Sequence, residues 1–185
     1  LKIGMIVRIE GSIDDRVANS VHFEEDVKGP ADAPASGNSF SVMGQTVITD
    51  AGTVFDNVSL ASIAAGDILE ISGLRNANDA IVAKFVERKN IPADVNRYSV
   101  IGNVRNLNTT NQTFRIDELT VSYSAANVND FSSGNPAEGQ LVEVKDDNKA
   151  YAPGSLSLAA TKIEPQNRLG TAGVNGARAE IESIV

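Results

Sequence analysis

Gly66-Asp67-Ile68-Leu69-Glu70-Ile71 returns as Gly139-Gln140-Leu141-Val142-Glu143-Val144, and Gly4-Met5-Ile6-Val7-Arg8-Ile9 is an earlier copy of the same pattern. One glycine-led apolar strand met three times predicts stacked small β units. The similarity extends outward on both sides. Phe40-Ser41-Val42 aligns with Phe114-Arg115-Ile116, and the same offset brings Val47 onto Val121. Downstream, the run Ala80 to Glu87 matches Ser157 to Glu164, and upstream Val27-Lys28-Gly29 sits on Val100-Ile101-Gly102. Two complete copies therefore run from Val27 to Lys89 and from Tyr98 to Gln166.

The chain ends read as partial copies. Gly4 to Phe23 reproduces Gly66 to Phe85 at one offset, pairing Ile9 with Ile71, Ala18 with Ala80 and Phe23 with Phe85. Ile181-Glu182-Ser183-Ile184-Val185 resembles Val100-Ile101-Gly102-Asn103-Val104, the opening of a copy. The expectation is a piece of a longer protein, with the Gly4 to Glu25 segment packed on the first complete copy and Ile181 to Val185 paired with the second copy or another molecule.

Within a copy, Phe114, Ile116, Leu119, Val121 and Tyr123 alternate mostly with polar residues, the period of a half-buried strand. Asp117-Glu118 and its match Met43-Gly44 interrupt that period as a two-residue hairpin turn or a bulge, with the turn favoured. Leu60 to Ala65 before Gly66 suits a single helical turn ended by a left-handed glycine. Gly29 to Asn38, Asn90 to Asp94 and the stretch from Pro165 to Gly176 read as connections. The fold class expected is all-β, with tandem small β-barrel or OB-like units and short helical turns. A first unit spans 1–91, in which 1–26 is the tail of a preceding copy packed with the full copy 27–89. A second spans 92–185, the full copy 98–166 plus the start of a further copy over 177–185.

The 185 residues carry 24 acidic and 16 basic side chains, a formal net charge of -8, without a basic cluster. That argues against a nucleic-acid partner, whose binding rests on Lys and Arg displacing counterions. No cysteine is present, which removes disulfides, thiolate metal sites and cysteine nucleophiles together. No apolar run reaches the length of a membrane-spanning helix.

The run Phe40 to Val47, then Thr53-Val54-Phe55-Asp56, then Gly66 to Gly73, resembles a bacterial family known as domain of unknown function 5666. In the second copy Met43-Gly44-Gln45 becomes Asp117-Glu118-Leu119, and Gly73 becomes Asp146. The resemblance implies tandem copies in an exported, often lipoprotein-like β protein of the periplasm or cell envelope, with no assigned activity and no recorded catalytic residues.

The chemistry-bearing side chains fit that picture. His22 is the sole histidine, so any Ser-His-Asp triad depends on it, and its position on a strand predicts a surface residue. Glu70 and Glu143 recur at one place where the leading copy has Arg8, and a position between apolar strand residues is expected to face water. Asp14-Asp15, Asn76 to Asp79, and Asp146-Asp147-Asn148 follow the glycine-led strand. They are read as turn formers ahead of a weak calcium site. The equivalent pairs Phe40 with Phe114 and Phe23 with Phe85 are expected in cores, and Lys84, Arg88 and Lys89 beside Glu87 are too few for a nucleic-acid platform. The overall expectation is a non-catalytic extracytoplasmic structural or binding module, without catalytic, cofactor-binding or metal-binding residues. Its partner would be a protein, peptide or saccharide, with self-association through strand edges. The alternative is an OB-like domain that binds a saccharide or peptide.

Overall fold

The computed structural model describes residues 1–12, 17–90, 95–166 and 176–180, the last five and residues 11–12 by backbone alone. It is all-β. The strands are β1 (Ile6–Ser12), β2 (Val17–Phe23), β3 (Val27–Pro30), β4 (Ser39–Val42), β5 (Gln45–Ile48), β6 (Val54–Asp56), β7 (Ile68–Arg75) and β8 (Ile81–Arg88) in the first half. There follow β9 (Tyr98–Asn103), β10 (Arg105–Asn108), β11 (Thr113–Ile116), β12 (Leu119–Ser122), β13 (Leu141–Asp146), β14 (Ser157–Ala159), β15 (Lys162–Pro165) and β16 (Gly176–Glu180).

Local chemistry explains these elements. The turn after β4 holds both Met43 (φ 49°) and Gly44 (φ 69°) in the left-handed region, the twist that a two-residue hairpin requires. Asp117 (φ 50°) opens the matching turn between β11 and β12, so the hairpin expected from sequence forms in both places. The helical turn is one 3-10 turn, Leu60–Ser62. The Ser62 hydroxyl accepts from the Ser59 amide at 3.0 Å, tying off the start of that turn. Gly4, Gly66 and Gly139 all have positive φ, at 85°, 85° and 78°, which explains the glycine that leads each copy of the strand.

Pairing registers reproduce the sequence alignment between the two long copies. Val47 faces Ile81 in the parallel pair β5–β8, and Val121 faces Leu158 in the parallel pair β12–β14. Ile71 faces Val86 as Val144 faces Ile163. In the leading segment the register departs from the ungapped alignment. Val7 faces Phe23 there, whereas Leu69 faces Arg88, so β2 is displaced by three residues relative to β8. Phe23 is therefore not the counterpart of Phe85. The two rings instead meet edge to face, with centroids 6.4 Å apart.

The expectation of small separate barrels is corrected. The principal sheet has nine strands, runs β15-β13-β9-β3-β7-β8-β5-β4 with β6 beside β8, and ends at β15 and β4 without closing into a barrel. The cause is β3, which pairs with β7 on one edge and uses its other edge on β9. Strands of both halves thus enter one sheet, and Val27 lies directly opposite Val100, the residue to which sequence alignment matches it. A four-stranded sheet, β10-β11-β12-β14, and a three-stranded sheet, β16-β1-β2, complete the described residues. Two ladders, β3–β9 and β1–β16, cross the 91/92 boundary expected between units.

The core runs continuously through both halves, from Phe40, Val42, Met43 and Leu69 to Phe114, Ile116, Leu119 and Ile163. A smaller cluster joins Met5 and Val7 of the leading segment to Phe85, with Val54 and Phe23 at its margin. Ile181 to Val185, and with them the expected pairing of the chain end, lie outside the described residues, as do Asp14-Asp15 and Ile91 to Asp94.

Candidate functional site

Along β7, residues Ile68 to Gly73 are all buried, although an antiparallel strand with one wet face should alternate. One face of this strand, with Leu69 and Ile71, belongs to the core. The other carries Glu70 and Ser72, and the leading segment lies across it. The Ile6 amide donates to the Ser72 hydroxyl at 3.0 Å, and that hydroxyl donates to the Glu24 carbonyl at 2.8 Å. The sequence-based placement of Glu70 in water is therefore wrong: its residue is 7% exposed, because a second layer covers the face.

Burial of a carboxylate demands partners. The sheet supplies them as a polar row crossing seven strands. Directly facing residues give Lys162, Lys145, Ser99, Lys28, Glu70, Glu87 and Asp56 in spatial order. The Lys89 ammonium lies 2.5 Å from one Glu70 oxygen and 2.7 Å from Glu87. Lys28 lies 3.4 Å from the other Glu70 oxygen and 2.8 Å from Glu25. Ser99 donates to Glu25 at 2.5 Å. At the ends of the row, Lys2 pairs with Asp56 and Glu87, and Lys145 and Lys162 both pair with Glu164.

Glu25 and Glu70 share the Lys28 ammonium and act on one another's ionisation, which splits their acidities. Burial pushes Glu70 up and the neighbouring Glu25 carboxyl adds to this, while Lys89 and Lys28 offset only part of the rise. Burial also acts upward on Glu25, but the Glu70 carboxyl, the charge of Lys28 and the Ser99 hydroxyl outweigh it and leave Glu25 lowered. Lys28 and Lys89 are raised: burial opposes their charge, and the surrounding carboxylates more than offset it.

Beside Glu25 opens a cleft of about 260 Å³ between the leading segment and the second half, lined by Arg8, Phe23, Glu24, Glu25, Ile101, Glu143 and Gln166. Gln166 donates to Glu143 at 2.9 Å, and Arg8 approaches Glu24 at 3.8 Å. Of the sequence-equivalent Arg8, Glu70 and Glu143, the first and last thus line the cleft and Glu70 sits in the buried cluster. Chemically, the cleft presents an aromatic ring, an amide and charges of both signs.

The remaining candidates are occupied with turns and surfaces. His22 is exposed on β2, opposite Arg8. The Asn76 side chain accepts from the amides of Asn78 at 2.9 Å and Ala80 at 3.2 Å, and Asp146 accepts from those of Asn148, Ala150 and Tyr151. These oxygens serve the backbone as Asx turns do. Among the described residues no group of three or more His, Asp or Glu is placed to hold a metal ion. Phe40, Phe85 and Phe114 are buried, whereas Phe23 is only half-buried. What sequence reasoning missed is the pairing of Glu25 with Glu70. Its one visible signal was Lys28 three residues after Glu25 and Lys89 two after Glu87.

No curated protein and no solved structure matches this chain. Residues 28–87 match the family described as a domain of unknown function, DUF5666, and the chain therefore carries a domain of the DUF5666 family.

Proposed function

We propose that the chain is a non-catalytic structural or binding module of an extracytoplasmic protein, built from tandem OB-like units. The observation that carries this is the polar row: Glu25, Glu70, Glu87, Lys28 and Lys89 direct their charges at one another beneath the leading segment. Charges consumed in this way hold layers in register and present no group to a substrate. For the OB-like unit, support comes from the Ala31–Val42 bridge, with Asp32 N donating to Ser41 O at 2.9 Å and Met43 N to Pro30 O at 3.2 Å. These contacts bring β4 back toward β3 across the order β3-β7-β8-β5-β4. The test is affinity capture from a cell-envelope extract, with amide-shift mapping of the captured partner. Contacts on loops and sheet faces are expected. Conversion of any small molecule in that extract by the purified chain overturns the reading.

A second reading, a saccharide or peptide site, is favoured by the cleft alone, where Phe23 and the Gln166 amide converge with Ile101. A panel of oligosaccharides and peptides screened by NMR tests it, with shifts at Phe23, Ile101 and Gln166 as the supporting result.

A further inference from the structure

Of the six large apolar side chains most exposed among the described residues, four lie within the first 23: Leu1 at 63%, Ile3 at 47%, Val17 at 55% and Val21 at 43%. The last two belong to the three-stranded sheet. The order β16-β1-β2 repeats β3-β7-β8 in register. Ala177 faces Ile9 as Val27 faces Ile71, and Arg178 faces Arg8 as Lys28 faces Glu70. Both hairpins shift register at the same place, between Glu10 and Gly11 in one and between Ser72 and Gly73 in the other, and Gly11 then faces Ala18 as Gly73 faces Ala83. One end of the chain thus supplies the first strand of a unit and the other end supplies its last two.

Through these registers Val21, opposite Ile9, is the counterpart of Val86, opposite Ile71. Val17, opposite Ser12, is the counterpart of Val82, opposite Leu74. In the first complete copy Val86 is fully buried, and the outer edge of β8 is occupied. There Val82 faces Ile48 of β5, and Val86 faces Phe55 of β6, both in parallel. Leu1 stands 62 residues before Ile63, the same offset that links Gly4 to Gly66, and Ile63 is 3% exposed. Among the described residues β2 pairs with β1 and with no strand on its outer edge. Val21 thus stands where the first complete copy has a core residue, whereas Val82, the counterpart of Val17, is half-buried on the opposite face beside exposed Leu74.

We propose that the outer edge of β2, with Val21 on the face that corresponds to the core face of β8, is a docking surface for one kind of partner. That partner is a β segment of the kind formed by residues 38–62, a Phe-x-Val hairpin followed by a short strand, supplied by another copy of the repeat and added parallel to β2. The amides and carbonyls of an edge strand give such addition its hydrogen bonds, and Val21 gives it an apolar contact. The inference deepens the structural-module reading by naming a partner. Its test reads docking at β2 and not activity, so its failure leaves that reading standing.

The experiment joins a second copy of residues 38–62 directly ahead of Leu1, the position where the offset of 62 restores continuity with Ile63. Hydrogen exchange of the amides from Val17 to Phe23 should slow at least about tenfold, with a rise in Tm of roughly 4–8 °C. Val21→Glu should abolish both effects in the extended chain while leaving the Tm of the original chain unchanged to within roughly 2 °C. Unaltered exchange across β2, or protection that persists in V21E, overturns the proposal. Should the extended chain fail to fold, the synthetic peptide of residues 38–62 is titrated onto the original chain. Saturable amide shifts confined to β2 and the face bearing Val21 support docking, and their absence overturns it.

Discussion

Glu70 shows how a single residue can be misplaced by its own neighbourhood in sequence. Flanked by Leu69 and Ile71, it should point away from the core, and it does. What receives it on the far side is a cluster of lysines and a second carboxyl. The consequence is readable in titration. By carboxyl-detected NMR, Glu70 should titrate above the ordinary glutamate value of 4.5 and Glu25 below it. The two affect stability with opposite sign. Glu25, lowered, contributes stability that is present above 4.5 and is lost as pH falls through its folded value. Glu70, raised, keeps its proton in the native state longer than in the unfolded chain, so its contribution declines as pH rises from 4.5 through its folded value. Lys28 and Lys89 contribute stability that is complete below 10.5 and is lost as pH climbs through their raised values. Unfolding free energy measured against pH should therefore drop on the alkaline side above 10.5. Lys28→Met should cost about 2 kcal/mol in urea denaturation, since it leaves two carboxyls facing each other without the shared cation. The same substitution should move Glu70 further upward.

At the scale of elements, the glycine at position 73 and its replacement by Asp146 account for a difference between two otherwise matching hairpins. A Cβ on Gly73 would lie 2.4 Å from the Val82 carbonyl, at the place where the β7–β8 register shifts. The bulge lets β7 continue to Arg75. Asp146 instead ends β13, and its carboxylate receives the amides of Asn148, Ala150 and Tyr151. Gly73→Ala should cost about 1–3 kcal/mol, because the obstructing atom is backbone and cannot rotate away. Gly66→Ala meets no neighbour within 4 Å, so its cost of about 1–2 kcal/mol should come from its φ of +85° alone. Phe114, 1% exposed and 5.8 Å from the Tyr123 ring, anchors the β11–β12 hairpin. Phe114→Ala should cost about 3–5 kcal/mol by chemical denaturation.

Across the whole molecule, the two halves are joined by more than the β3–β9 ladder. Arg75 donates to Gln45 Oε1 at 2.8 Å and to the Ile101 carbonyl at 2.6 Å, while Gln45 donates to the Ile116 carbonyl at 2.9 Å. The Thr46 amide donates to Asp117 at 2.7 Å, and Asp32 accepts from the Tyr151 hydroxyl at 2.7 Å and the Gly154 amide at 2.9 Å. These bonds across the seam, with the Gln45 side chain fully buried among them, make separation of the halves expensive. The chain should therefore unfold in one transition. All three tyrosines, at 98, 123 and 151, lie in the second half and no tryptophan is present, so tyrosine fluorescence reports that half and far-UV circular dichroism reports both. Coincident midpoints are expected, and separated midpoints would show that the halves unfold independently.

Strand periodicity, turn residues and the left-handed glycines were legible in the chain, because each depends on neighbours a few residues apart. Phe114, Ile116, Leu119 and Val121 alternate inward, and the two-residue turns fall between them where Met43-Gly44 and Asp117-Glu118 stand. Self-similarity matched β5 with β12 and β8 with β14 and β15, and the structure supplied which of them pair. Closure was not legible, since it turns on which strand takes the second edge of β3, a choice between partners far apart in sequence. The site escaped for the same reason. Glu25, Glu70 and Ser99 lie dozens of residues apart, and only the layering of the leading segment over β7 turned a solvent-facing pattern into a buried charge cluster. Local sterics and hydrophobic alternation determined the strands; competition among strand edges and the burial of a second sheet face decided their assembly.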